Sequence, residues 1–194
     1  MKDFKEDVQS LINLCRELSL SRLKGHIGYN ELTEREFNPE KPDDLGESLS
    51  LVFFTSIGIK LNFKTHFSLQ NARLFAAKGL GVVSDDSLSK EMIEDFMKEY
   101  CNLFAGAIKK SFENKGFDSS ISLPFLTRAK DKVFFDQHNK ETEDKDYIFQ
   151  DTWEILMEES FIRNQVLIEI YDSDILSKVV EESESDEGDG SFFF

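Results

Sequence analysis

One stretch of the chain sets out groups able to do chemistry at a useful spacing: Asp95, Glu99, Asn102 and Gly106. If this stretch is helical, each residue turns the chain by about 100°. Ile93, Phe96, Met97, Tyr100, Phe104, Ala107 and Ile108 then share one broad apolar arc, the core face. Asp95, Glu99, Asn102 and Gly106 fall together on the opposite stripe. The i, i+3 spacing sets the Glu99 and Asn102 side chains beside each other. A carboxylate can pair with a cation. A carboxamide is no useful base, but it both donates and accepts hydrogen bonds and can orient a water. Gly106 costs a helix about 1 kcal/mol relative to Ala, and on this stripe it leaves a notch where a partner can approach closely. On wheel geometry alone, the plainer reading of such a stripe is a solvated helix face.

The elements that must position this stripe follow from pattern. A long helix is expected over Lys90–Asn114, with Asp85, Asp86, Ser87 and Ser89 as cap candidates. Glu91, Glu94 and Asp95 in its first turns, and Lys109 and Lys110 towards its end, suit the helix dipole. Gly116 ends it. Upstream, Phe4, Val8, Leu11, Cys15 and Leu18 give a helix over 3–24, with Gly25 and Gly28 as stops. Residues 25–48 read as a loop. Leu49–Thr55 and the alternating run from Ile59 to Phe67 read as two strands about Gly58. A short helix over 69–79 ends at Gly79. Downstream come four strand candidates, 119–128, 132–138, 147–157 and 161–171, the last buried in part on both faces. The linker 139–146 is a polar hairpin end. This order predicts an α+β fold: a mostly antiparallel sheet with two long helices on one face, an N-terminal helix, and a disordered acidic tail. The division expected is 1–48 helix and loop, 49–178 core domain, and 179–194 tail ending in Phe192-Phe193-Phe194.

Composition excludes several classes. The 194 residues carry a formal net charge of -15, which repels nucleic acid and anionic membrane surfaces alike. Cys15 and Cys101 form no CxxC pair or disulfide framework. The N-terminus is too polar for a signal peptide. No apolar run approaches the 18 residues or so of a membrane span, so the cytoplasm is the expected location. His26, His66 and His138 lack ligand spacing, and no metal site is expected. Cys101, at the edge of the core face, reads as inert. Gly79-Leu-Gly81 is too short for a phosphate loop, and Trp153 reads as core.

The run Glu99-Tyr-Cys-Asn102-Leu-Phe-Ala-Gly106 resembles the E-x-x-N-x-x-x-G helix signature of the CheC/CheX/FliY chemotaxis phosphatases. Its surroundings agree: a hairpin about Gly58 and a short helix ending Ala76-Ala77-Lys78-Gly79 ahead, and Ile121-Ser122-Leu123-Pro124 behind. The similarity covers roughly 49–171. The signature occurs once, as in CheX-like members. Ala107 stands where many relatives have Asn, which bears on the detail of the notch.

The resemblance implies a protein phosphatase that hydrolyses the aspartyl phosphate of a CheY-like response regulator in chemotaxis or two-component signalling. Glu99 and Asn102 would be catalytic. Glu99 would pair with the regulator's active-site lysine, and Asn102 would orient the attacking water, much as a Gln does in GTPases. Gly106 and Asp95 would contact the substrate. The chain would need no cofactor of its own, Mg2+ arriving with the regulator, and it would form a homodimer, through strands at a sheet edge. The alternative within the same fold is a non-catalytic regulator-binding or flagellar-switch adaptor. A third class, a plain acidic interaction protein, predicts that 95–106 are buried or disordered. The acidic, Phe-terminated tail resembles in character the tether of another chemotaxis phosphatase, CheZ; a merely solvated tail is the plainer reading.

Overall fold

A computed structural model describes residues 4–38, 46–82, 87–128 and 147–181. Helix α1 (Phe4–Ile27) opens the chain. It runs through Gly25 and stops at Gly28, whose φ of +68° a side chain would resist. The segment expected to be all loop then contains a strand, β1 (Thr33–Glu36). Thr-Glu-Arg-Glu shows no apolar alternation, and this strand is selected by its partners. It pairs antiparallel with β6 (Tyr147–Met157) from Thr33↔Leu156 to Glu36↔Trp153. Glu34 and Glu36 accept hydrogen bonds from Arg16 of α1, at 2.9 and 2.5 Å, and Arg35 bonds Glu154 on the opposite face.

Strands β2 (Ser48–Ser56) and β3 (Ile59–Phe67) form the hairpin expected about Gly58. Helix α2 (Leu69–Gly79) starts at Ser68, whose hydroxyl accepts from Asn71 N. Helix α3 (Lys90–Glu113) starts at Ser89, whose hydroxyl accepts from Met92 N. Two long helices were expected besides the N-terminal one, but of α2 and α3 only α3 is long, with 24 residues against 11, and the other helix of 24 residues is the N-terminal α1.

The strand expected over 119–128 divides into β4 (Ser119–Ile121) and β5 (Phe125–Arg128), both paired to β2. Pro124 between them has no N–H to give a ladder. Ser122 bridges the gap: its N donates to Phe53 O at 2.9 Å and its hydroxyl accepts from Phe53 N at 3.0 Å. Strands β6 and β7 (Ser160–Ile170) are the long hairpin of the sheet. A last helix, α4 (Ser173–Glu181), was not expected. Asp172 Oδ1 caps it by accepting from the amides of Asp174 and Ile175, and Ile175, Leu176, Val179 and Val180 are buried. Residues 179–181 are therefore helical and not tail. The candidate strand 132–138, the linker 139–146 and the rest of the tail from 182 lie outside the described residues.

The fold is α+β with an antiparallel sheet of order β1-β6-β7-β3-β2-β4, β4 pairing with Phe54–Ser56 of β2 and β5 with Ser48–Leu51. Ring contacts seat α3 on the sheet. Phe104 stacks on Phe63 of β3 at 3.8 Å, and Phe112 meets Phe54 of β2 at 4.7 Å. Ile59, Leu61, Phe63, Val166, Ile168 and Ile170 fill the same layer with the apolar side chains of α1, α2 and α4. Trp153 is fully buried there.

Candidate functional site

Helix α3 presents its stripe as its periodicity requires. Phe96, Met97, Tyr100, Phe104, Ala107 and Ile108 are buried; Asp95, Glu99 and Gly106 are exposed and Asn102 is half-buried. The Asn102 Nδ2 donates to Glu99 Oε2 at 3.3 Å. The two groups sit side by side on the outside of a rigid helix, and the amide's carbonyl oxygen keeps its capacity to accept from a water. A Cβ added at Gly106 would meet nothing within 4 Å, so the notch one turn beyond Asn102 is open. Asp95 pairs with Lys98 at 2.6 Å. At such an exposed position this ion pair contributes about 0.2–1 kcal/mol at most, and a partner can displace it. Within 95–106 the apolar face is buried, but the stripe Asp95, Glu99, Asn102 and Gly106 is helical and reaches the surface, against what a plain interaction protein predicts.

Two neighbours of the site come from tertiary packing and carry no motif. The first is His26, at the end of α1. Its ring stacks on Phe96 at 4.2 Å, one turn before Glu99. Burial pushes its pKa down, opposed by the Glu99 charge and the Phe96 carbonyl. Its Nε2 is buried with no hydrogen-bond partner. Gly79 makes room for this junction, since a Cβ there would stand 2.5 Å from Phe96 Cε2. The second lies behind the site. Tyr100 and Cys101, the residues between Glu99 and Asn102, point inward and are fully buried. Burial raises both pKa values, that of the Cys101 thiol to about 11, so neither acts as a nucleophile or a base. Among the described residues no group of three or more His, Cys, Asp or Glu side chains is placed to hold a metal ion, and no helix is long and apolar enough to cross a membrane.

No protein-family model matches the chain, and no curated protein matches it in sequence. Solved structures do. A chain of the CheX–CheY–BeF3–Mg2+ complex from Borrelia burgdorferi superposes with a TM-score of 0.58 at 15% identity, covering 87% of this chain and 99% of that one. A CheC-like superfamily protein from Shewanella sp. PV-4 gives 0.57 at 15% identity, over 82% and 97%. A chain of the FliM–SpeE complex from H. pylori gives 0.53 at 11% identity, over 97% and 99%. On these superpositions the chain has the fold of the CheC-like and CheX chemotaxis proteins.

Proposed function

We propose that the protein is a phosphatase of aspartyl phosphate, acting on a phosphorylated CheY-like response regulator through Glu99 and Asn102. The observation that carries this reading is the Glu99–Asn102 pair, hydrogen-bonded at 3.3 Å on the outer face of α3, with open space at Gly106. The superposed CheX–CheY complex offers a parallel for the partner. Glu99 reaches the regulator's active-site lysine and sets the docking register; a charge pair closed off from water fixes orientation more reliably than it adds affinity. Asn102 holds a water in line with the phosphorus. The water oxygen attacks, the bond from phosphorus to the aspartyl oxygen breaks, and the carboxylate leaves with its electron pair. The regulator brings the Mg2+. Asp95, released from Lys98, and the notch at Gly106 complete the contact. In the same reading the protein is a cytoplasmic homodimer.

The test is phosphate release from a phosphorylated regulator. Asn102→Ala should lower turnover at least about 100-fold, the scale of losing one positioned reactant, with unfolding behaviour unchanged. Wild-type turnover in that variant removes the mechanism. Glu99→Ala should chiefly weaken productive docking and so raise KM; a lost rate with binding untouched contradicts its role.

A second reading is favoured by the FliM–SpeE superposition, which spans 97% of this chain. It makes the protein a non-catalytic adaptor that binds the regulator or a switch component. Regulator autodephosphorylation measured with and without the protein separates the two: acceleration supports the enzyme, and binding without acceleration supports the adaptor.

A further inference from the structure

Beneath the Glu99–Asn102 pair the aromatic core is interrupted by a connected set of polar side chains. Thr65 of β3 and Asn164 of β7 are direct register partners in the sheet, and both are fully buried. Thr65 Oγ1 donates to Asn164 Oδ1 at 2.8 Å. Asn164 Nδ2 donates to Tyr100 Oη at 3.1 Å. Cys101 Sγ donates to Thr65 Oγ1 at 3.6 Å. The chain of bonds thus leaves α3 at Cys101 and returns to it at Tyr100. The same transverse row continues to Trp153, the register partner of Asn164, whose Nε1 donates to Ser19 Oγ of α1 at 3.1 Å. Further along α3 the helix meets the sheet through apolar contacts, among them the ring pairs Phe63–Phe104 and Phe54–Phe112.

We infer that this buried polar ring is a positioning device for the site: Tyr100, Thr65 and Asn164 fix the rotation of α3 about its axis at the turn that bears Glu99 and Asn102. The reason is directional. Apolar contact is nearly indifferent to a small rotation or slide of a helix, because its energy follows buried area. Hydrogen bonds weaken steeply as their angle closes, and a buried polar group that loses its partner is costly. A ring that grips two successive residues of α3 therefore resists rotation in either sense. Because Tyr100 and Cys101 lie between Glu99 and Asn102, a rotation that breaks the ring also swings both groups off the line of attack. Tyr100, Thr65 and Asn164 touch no substrate and act only through the helix.

This inference rests on the phosphatase reading, and its test is built so that the two can fail separately. In the triple variant Tyr100→Phe, Thr65→Val, Asn164→Leu every member of the ring except Cys101 becomes apolar at nearly constant shape, so no strongly polar group is left orphaned and thermal stability should stay close to wild type. Tyr100→Phe alone is the milder companion. For the triple variant the kcat for regulator dephosphorylation should fall by about ten-fold or more and, because Glu99 sets the docking register and swings with Asn102, KM should rise as well. The side-chain amide signals of Asn102 in a 15N-labelled sample should shift and broaden. A merely structural ring would let activity return with stability. Wild-type kcat together with an unchanged Asn102 amide spectrum overturns the inference. If wild type and Asn102→Ala are equally inactive on the regulator, it is the phosphatase reading that fails, and the amide spectrum alone then decides the positioning role.

Discussion

At the scale of single residues, buried polar groups report most on the interior. His66 of β3 is half-buried, its Nδ1 has no hydrogen-bond partner, and Lys64 and Arg163 lie near it. Burial first, then those two cations, push its pKa down from 6.5 to about 4. In the unfolded chain the ring takes up a proton near its ordinary pKa; in the folded protein it does so only near 4. Folding is therefore opposed as pH falls below about 6.5, and the loss levels off near pH 4, at up to about 3 kcal/mol. His66→Gln should flatten that part of the stability profile. Urea titrations of both proteins between pH 7 and 4 measure this; parallel profiles would show that His66 titrates normally. Cys101 illustrates the opposite outcome: a residue type capable of chemistry is silenced by its place beneath the helix, with its thiol held protonated.

The helix α3 is the element on which the site depends. Its caps, dipole charges and apolar arc are local features, which is why its start at Lys90 and the exposure of Glu99 and Gly106 could be read from spacing. Gly106 is the one position on the stripe where helix stability and docking are opposed. A Cβ there meets nothing, so Gly106→Ala should stabilise the helix by about 1 kcal/mol and raise Tm by about 2–4 °C. If the notch receives a partner, the same change should lower kcat/KM for the regulator. A rise in Tm with kcat/KM unchanged would show that the notch is unused. Strands β4 and β5 show where pattern failed within an element. The run 119–128 has strand composition throughout, but Pro124 cannot donate to the ladder, and Ser122 replaces the missing pairing with its own side chain.

At the scale of the molecule, one arginine ties the N-terminal segment to the sheet. Arg16 of α1 meets Asp151 of β6 through two hydrogen bonds, 2.7 and 3.0 Å, and also Glu34 and Glu36 of β1, while its guanidinium lies 5.6 Å from the Trp153 ring. Its side chain is only 14% exposed, which makes this more than a surface pair. Arg16→Met would leave three carboxylates facing one another without a cation and should cost about 3 kcal/mol. Arg16→Lys, which keeps the charge but not the planar fork, should fall between the two. Denaturant midpoints at low and high salt check the order; a loss for Arg16→Met within experimental error of zero would mean that α1 is held by its apolar face alone.

What the amino-acid sequence determined by itself is whatever depends on near neighbours along the chain. It set the α+β class, the β2–β3 hairpin, the strand runs of β6 and β7, the bounds of α2 and α3, and the outward stripe of Glu99, Asn102 and Gly106, because periodicity, caps and turns act over a few residues. Tertiary structure alone decided the rest. Strand β1 exists because Arg16 and β6 receive it, and α4 because the core offers its apolar side a seat. The side chain of His26 stacks on Phe96 because α1 and α3, distant in sequence, meet where Gly79 of α2 leaves room. Thr65 and Asn164, nearly a hundred positions apart, meet beneath Tyr100 only when the sheet has paired in its register. Such contacts are set by the packing of elements against one another, which no local spacing encodes.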